Sequence, residues 1–585
     1  MVQSSTAVPV PPPSDPEPAD EPRYGRGWGG VAPRVFWPSM AIILAVALLA
    51  IIFPAAAERT IGAIQSNVIG VFGWYYVLLV AAFVAFALWV GLGRWGDIKL
   101  GKDDDEPEFG VRPWFAMLFA AGMGIGLVFW GVAEPLTHFA SPKPGVAGAP
   151  ERIAETAMAQ TYLHWGVHAW AIYVVVGLAL AYSIHRRGRP VSIRWALEPL
   201  LGDRVKGRWG DLIDVTAVVG TIFGVATSLG LGVLQIAAGL EHIGLVDSTT
   251  VVQVVIIIVI TTLATLSVVS GLDRGLKWLS NINVMLAGVL LLAVLLLGPT
   301  LFLLRDFVQS IGVYLANVLP MTFNVSAFAG AEGEAWQAGW TTFYWGWWIS
   351  WAPFVGVFIA RISRGRTVRE FVGGVLLVPT LITFLWFSVL GGSAIYRELF
   401  GDGGLIGEDG GVVPENALFD LLGGLPWGAV LSVLTIVLIA LFFITSSDSG
   451  SLVVAMLATG GNPHPRTAVR VTWASLEGLL AIALLIAGGL LALQTAAILI
   501  ALPFSVVMIG MAFATTRALH DEHQLLLRAQ RLVLRDRLTA HVTGHVTGHV
   551  TTMLDEASRA QATGPRRSAR SRPDAGPESL PPPRT

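Results

Sequence analysis

Phe343-Tyr-Trp-Gly-Trp-Trp-Ile-Ser-Trp351 lies inside an otherwise apolar segment, and its reading decides how the rest of the chain is understood. On a helix, residues four apart share a face, so Phe343, Trp347 and Trp351 form one stripe with Trp348 beside it. Tryptophans of membrane proteins normally collect in the interfacial belts, so a belt at one end of a span, or plain core packing, is one reading of the run. The other is a cage. Indole is the best aromatic surface for holding a cation that forms no hydrogen bonds, which points to a quaternary ammonium group.

Working outward, the chain is built for a bilayer. Of its 585 residues 54% are hydrophobic and 13% charged, against about 25% charged in soluble proteins. The absence of cysteine excludes disulfides, thiolate metal sites and cysteine nucleophiles. Nothing suggests nucleic-acid binding, and no cleavable signal peptide precedes the first apolar stretch. Segments long enough to span, about 20 residues each, fall near 35–55, 73–93, 113–134, 164–184, 212–238, 251–270, 281–303, 340–361, 371–392, 428–456, 467–489 and 492–514. The segment 305–320 is less uniformly apolar and reads as an amphipathic helix lying along the surface.

Residues 1–33 form a Pro-rich, acidic leader expected to be disordered, 34–515 the twelve-helix domain, and 516–585 a basic tail. The connections after the fourth (Arg186, Arg187, Arg189, Arg194, Arg204, Lys206, Arg208), eighth (Arg361, Arg364, Arg366, Arg369) and tenth (Arg466, Arg470) spans are basic. The connection before the tenth is acidic (Glu398, Asp402, Glu408, Asp409, Glu415). The positive-inside rule then places both termini in the cytoplasm of a multi-pass protein of the cell membrane. In the tail, His541-Val-Thr-Gly-His545-Val-Thr-Gly-His549 spaces histidines as a helical metal site would. Its glycines and β-branched residues are poor helix formers, which favours a low-complexity expansion. Arg567, Arg570 and Arg572 beyond it suit an anionic leaflet.

Helix breaks locate the site. Gly122-Met-Gly124-Ile-Gly126 sets three glycines at alternate positions within the third span, as expected of an unwound segment that exposes backbone to ion and substrate. Pro353 is expected to disturb the eighth span near its centre. Two interrupted helices, four spans apart, suggest that spans three to seven (about 113–303) recur as eight to twelve (about 340–514) in inverted orientation. Thr445, Ser446, Ser447 and Ser449 at the end of the tenth span suit an alkali cation, unless they bond back to their own helix. Trp165, Trp170 and Tyr173 of the fourth span are belt anchors unless they converge on the eighth-span cluster.

These stretches, with Glu134-Pro135, His164-Trp165 and Arg361-Ile-Ser-Arg-Gly-Arg366, resemble the betaine/carnitine/choline transporter family, most nearly its actinobacterial sodium-coupled glycine betaine symporters, over roughly residues 35–520. The resemblance implies an all-α, LeuT-like inverted five-helix repeat preceded by two extra helices, and a homotrimer. It implies a substrate cage of Trp347, Trp348 and Trp351, with Phe343 lining the path, Trp165, Trp170 and Tyr173 as a second aromatic cluster, and Gly122, Gly124 and Gly126 beside the substrate. One sodium site would use Ala120 and Met123 with Phe442, Thr445 and Ser446. A second would use Thr221 and Phe354, but Val225 stands where sodium-coupled relatives carry a further threonine. Gly126 matches the betaine type, whereas choline-selective relatives place an aspartate there. The expected function is sodium-driven, alternating-access uptake of glycine betaine without a cofactor, under osmotic regulation. Alternatives are a proton-coupled choline or carnitine carrier, a sodium-independent exchanger and, remotely, a membrane-embedded enzyme.

Overall fold

The computed structural model describes residues 30–122, 124–270 and 273–563, and for 65–66, 119–122, 270 and 273–277 the backbone alone. Among the described residues every extended element is a helix, and the single β-bridge joins Lys99 to Thr367. Ten described helices are long and apolar enough to cross a membrane. The chain is an all-helical polytopic membrane protein.

The ten do not coincide with the twelve predicted spans. The interval 113–134 is two helices, Val111–Gly122 and Ile125–Ala140, and at Gly124 the backbone is extended. The aromatic run lies in a 19-residue helix, Phe343–Arg361, entered through a π-helical turn at Ala338–Thr342. The last two predicted spans, 467–489 and 492–514, both lie within the helical stretch Thr467–Ala562, which is two helices parted at a kink where Gly488 (φ 159°) and Gly489 (φ 58°) leave helical geometry. Such φ values are open to glycine and strained for other residues. Conversely Thr300–Thr322, expected to lie on the surface, is long and apolar enough to span.

The predicted break at Pro353 is not found: the helix runs through it to Arg361. A proline removes one backbone donor, and in a membrane helix neighbouring elements and local adjustments re-satisfy the freed groups. The second break lies instead in the fourth span, at Gly166 (φ −94°, ψ −137°), between Pro150–Trp165 and Val167–Ala181. A Cβ there would lie 2.5 Å from the Tyr162 carbonyl oxygen and 2.8 Å from the Phe384 ring.

The helix Phe343–Arg361 packs against Val167–Ala181 and Arg208–His242, and the latter against Gly428–Ala458. Beside this core the loop after the second helix is sewn to the loop after Arg361. Leu100 N–H donates to Arg366 O and Gly365 N–H to Leu100 O, both at 2.8 Å, and Val368 N–H donates to Ile98 O at 2.9 Å. Arg366 lies 4.3 Å over the Trp114 ring, and Thr367 opens the next helix with a capping box to Glu370. In the same seam the Lys102 N–H and the Arg364 guanidinium hold the Asp105 carboxyl below its usual range.

The chain divides into two units after His520. In the second, the described residues are helical to Ala562, so the histidine repeat is helix and not irregular chain. Strong helix formers precede it, and the Thr551 and Thr552 hydroxyls donate to the carbonyls of Thr547 and Gly548. The leader through residue 29 and the Arg567, Arg570 and Arg572 cluster lie outside the described residues.

Candidate functional site: an aromatic chamber and an adjoining polar chamber

The break at Gly124 and Trp165, the last residue before the break at Gly166, border a chamber against the aromatic helix. It is lined by Gly124, Gly126, Trp165, Trp170, Tyr173, Trp347, Trp348 and Trp351, together with Ile125, Leu127, Ala169, Ser228 and Thr383. That predominantly apolar, aromatic lining with a few polar groups is the character of a small-molecule pocket. The two aromatic clusters therefore converge rather than anchoring at an interface. Of the expected lining, Phe343 is absent from the wall: it is fully buried and stacks on Trp347 (5.4 Å, 16°). Met123 lies outside the described residues, and Gly122 is described by its backbone alone.

The rings form a corner. Trp347 and Trp348 stack at 4.7 Å, and Trp165 stands edge-on to both at 6.1 and 4.8 Å. Hydrogen bonds fix the indoles: Trp347 Nε1–H donates to Ser228 Oγ at 3.2 Å and Trp348 Nε1–H to the His164 carbonyl at 2.9 Å. Close approach is essential at Gly126, where a Cβ would stand 2.3 Å from Trp347 Cη2. Gly126→Ala must therefore displace that ring. Overpacking of this kind costs about 1–3 kcal/mol, so betaine uptake should fall roughly tenfold or more. Transport assays on reconstituted variants check this.

In the sequence Glu134 stands out only as part of the Glu134-Pro135 motif, yet in the fold it anchors the chamber. Its buried carboxyl accepts from Trp165 Nε1–H at 2.6 Å, from the Tyr344 hydroxyl, and from His164 Nδ1 at 2.6 Å. His138 Nε2 lies 3.4 Å away. Glu134, His138 and His164 offer ligand atoms within 4.8 Å of one another, the spacing of a metal trio. However, Glu134 already takes three donors, and His164 Nε2 lies 3.0 Å from both Gln160 Nε2 and Thr341 Oγ1. The arrangement is a clamp that orients Trp165 and Tyr344. Above it Lys143, pushed down to about 8 by burial, lies 4.5 Å over Trp336.

Trp351 also borders a second, more polar chamber with Phe354, Phe442, Thr445, Ser446, Ser280 and Asn283. Thr445 Oγ1 donates to its own helix, at Leu441 O (3.0 Å) and Phe442 O (3.2 Å), and accepts from Asn283 Nδ2 at 3.0 Å. Asn283 Oδ1 is buried with no partner among the described residues. Asn283 went unnoticed in the sequence because nothing local marks it. Thr221, predicted to pair with Phe354, donates to Ala217 O at 2.8 Å and borders neither chamber. Val225 packs toward Gly450, the two Val225 γ-methyls 3.2 and 3.5 Å from where a Cβ would stand.

A polytopic helical protein with broken helices around an aromatic chamber is built as a carrier, and comparison places it: the sequence profile of the "BCCT, betaine/carnitine/choline family transporter" matches residues 34–524, and the chain belongs to that family. It is 52% identical over 496 residues to an uncharacterized transporter of Mycobacterium tuberculosis (84% of this chain, 83% of the relative). It is 45% identical over 498 residues to a glycine betaine transporter of Bacillus subtilis (85% and 96%), and 43% over 506 residues to glycine betaine transporter 1 of Vibrio parahaemolyticus (85% and 95%). Family and relatives are transporters, not enzymes, which disposes of the membrane-embedded enzyme.

Proposed function

We propose that the protein takes up glycine betaine across the cell membrane by sodium symport with alternating access. The observation that carries the reading is the convergence of Trp165, Trp170, Tyr173, Trp347, Trp348 and Trp351 on one chamber beside the unwound Gly124. A trimethylammonium head accepts no hydrogen bond, so indole faces replace its water at about 2 kcal/mol per desolvated contact. The zwitterion's carboxylate is left to the backbone near Gly124. Gly126, with no carboxylate of its own, suits a zwitterion better than a net cation.

Sodium belongs in the polar chamber. The Phe442 carbonyl, the Thr445 and Ser446 hydroxyls and the free Asn283 Oδ1 are oxygen donors of the kind a hard cation takes. Thr221 and Val225 give no support for a second ion. One sodium entering down ~150 mV supplies about 3.5 kcal/mol, or more than a hundredfold accumulation, before its own gradient is counted. The twelve-span, inverted-repeat topology with cytoplasmic termini, a homotrimer and osmotic control through the tail complete the reading. Radiolabelled betaine uptake into proteoliposomes, with and without an inward sodium gradient, tests it. Uptake should require the gradient, and Thr445→Ala should raise the sodium concentration for half-maximal rate. Equal uptake without sodium would leave an exchanger or a proton-coupled carrier.

A further inference from the structure

We propose that His541, His545 and His549 form a divalent transition-metal site in which one ion is chelated by a neighbouring pair that always includes His545. The repeat is helical, so the three imidazoles rise along one face about 6 Å apart. The His541 and His545 ring centroids are already 4.6 Å apart at 70°. An ion held by two imidazole nitrogens at about 2.0–2.1 Å from each is within reach of such a pair by side-chain rotation alone.

The stripe between them is bare. Gly544 and Gly548 lie three residues after His541 and His545, on the same face, and a Cβ at either would meet nothing within 4 Å. The ion and its remaining water ligands therefore have room. Val542, Val546 and Val550 project from the adjacent stripe and offer no competing donor. The same short residues that weaken the helix leave its histidine face unobstructed.

Three histidines at this spacing make two overlapping pairs, not one three-ligand site. His541 and His549 are eight residues, about 12 Å, apart along the axis, too far for a single ion to bridge. One ion therefore binds per helix, at 541/545 or at 545/549. Because only the helical form presents a pair, binding stabilises the helix by mass action. The ligands are neutral imidazoles, so affinity should follow Cu²⁺ above Ni²⁺ and Zn²⁺ and weaken in acid.

The test is titration of the full-length, tag-free protein in detergent with Zn²⁺ and Ni²⁺, followed by calorimetry and by helix circular dichroism. One ion per chain and a gain in helicity are expected. His541→Ala and His549→Ala each leave one pair intact and should weaken binding only about twofold. His545→Ala destroys both pairs and should weaken it about a hundredfold or more, the loss of an intramolecular second ligand. Equal losses in all three variants, wild-type affinity in His545→Ala, or stoichiometric binding by the triple variant would each overturn the proposal. The readouts do not involve transport, so the outcome is independent of the substrate reading.

Discussion

Trp351→Ala abolishes betaine uptake in proteoliposomes, whereas Trp351→Phe retains part of it: this is the largest effect expected of any single side chain. Trp351 is a wall of both chambers, facing the aromatic site on one side and Phe442, Thr445 and Ser446 on the other. Its Nε1–H is buried with no hydrogen-bond partner among the described residues, so phenylalanine forfeits no bond. What the indole supplies is ring face and bulk. One desolvated cation–π contact of about 2 kcal/mol is roughly a thirtyfold change in affinity, and alanine additionally opens the partition between the chambers. Full uptake by the alanine variant would remove the cage from the mechanism.

The second large effect is at Glu134. Glutamine replaces one acceptor oxygen by a donor, yet Trp165, Tyr344 and His164 all present hydrogens to this carboxyl. Each buried donor left unpaired costs about 1–3 kcal/mol, so Glu134→Gln should raise the betaine KM roughly tenfold to a hundredfold. A double-mutant cycle separates positioning from general destabilisation. Trp165→Phe removes the orphaned donor, so the Glu134→Gln/Trp165→Phe pair should lose less than the sum of the single changes. Strict additivity, or an unchanged KM in Glu134→Gln, would show that the clamp does not orient the cage.

How much of this was legible in the sequence depends on range. The aromatic run and the glycine triplet carry their meaning locally, and Trp347, Trp348 and Trp351 of the one and Gly124 and Gly126 of the other line the chamber. The all-helical, membrane-spanning class follows equally from composition. What escaped was set by neighbours distant in the chain. Pro353 reads as a break but is absorbed by a packed helix, whereas the lone Gly166 reads as nothing and interrupts one, because the Phe384 ring and the Tyr162 carbonyl leave no room for a side chain. Asn283 and Ser228 acquire roles only once Thr445 and Trp347 lie beside them. The tail failed on propensity, since a stretch judged unfit for helix lies between segments strong enough to carry it.

The seam between residues 96–101 and 363–369 has a consequence for how this chain tolerates length changes. The helix that leaves it begins at Val368 and six residues later presents Gly374 to Trp114, where a Cβ would stand 2.2 Å from the ring. With the seam's pairings held, deleting one residue after Val368 and before Gly374 would turn everything downstream by about 100° and bring a side chain to the place of that glycine. A connection that looks like slack is thus a ruler, and families of such chains should vary in residue identity here far more readily than in number.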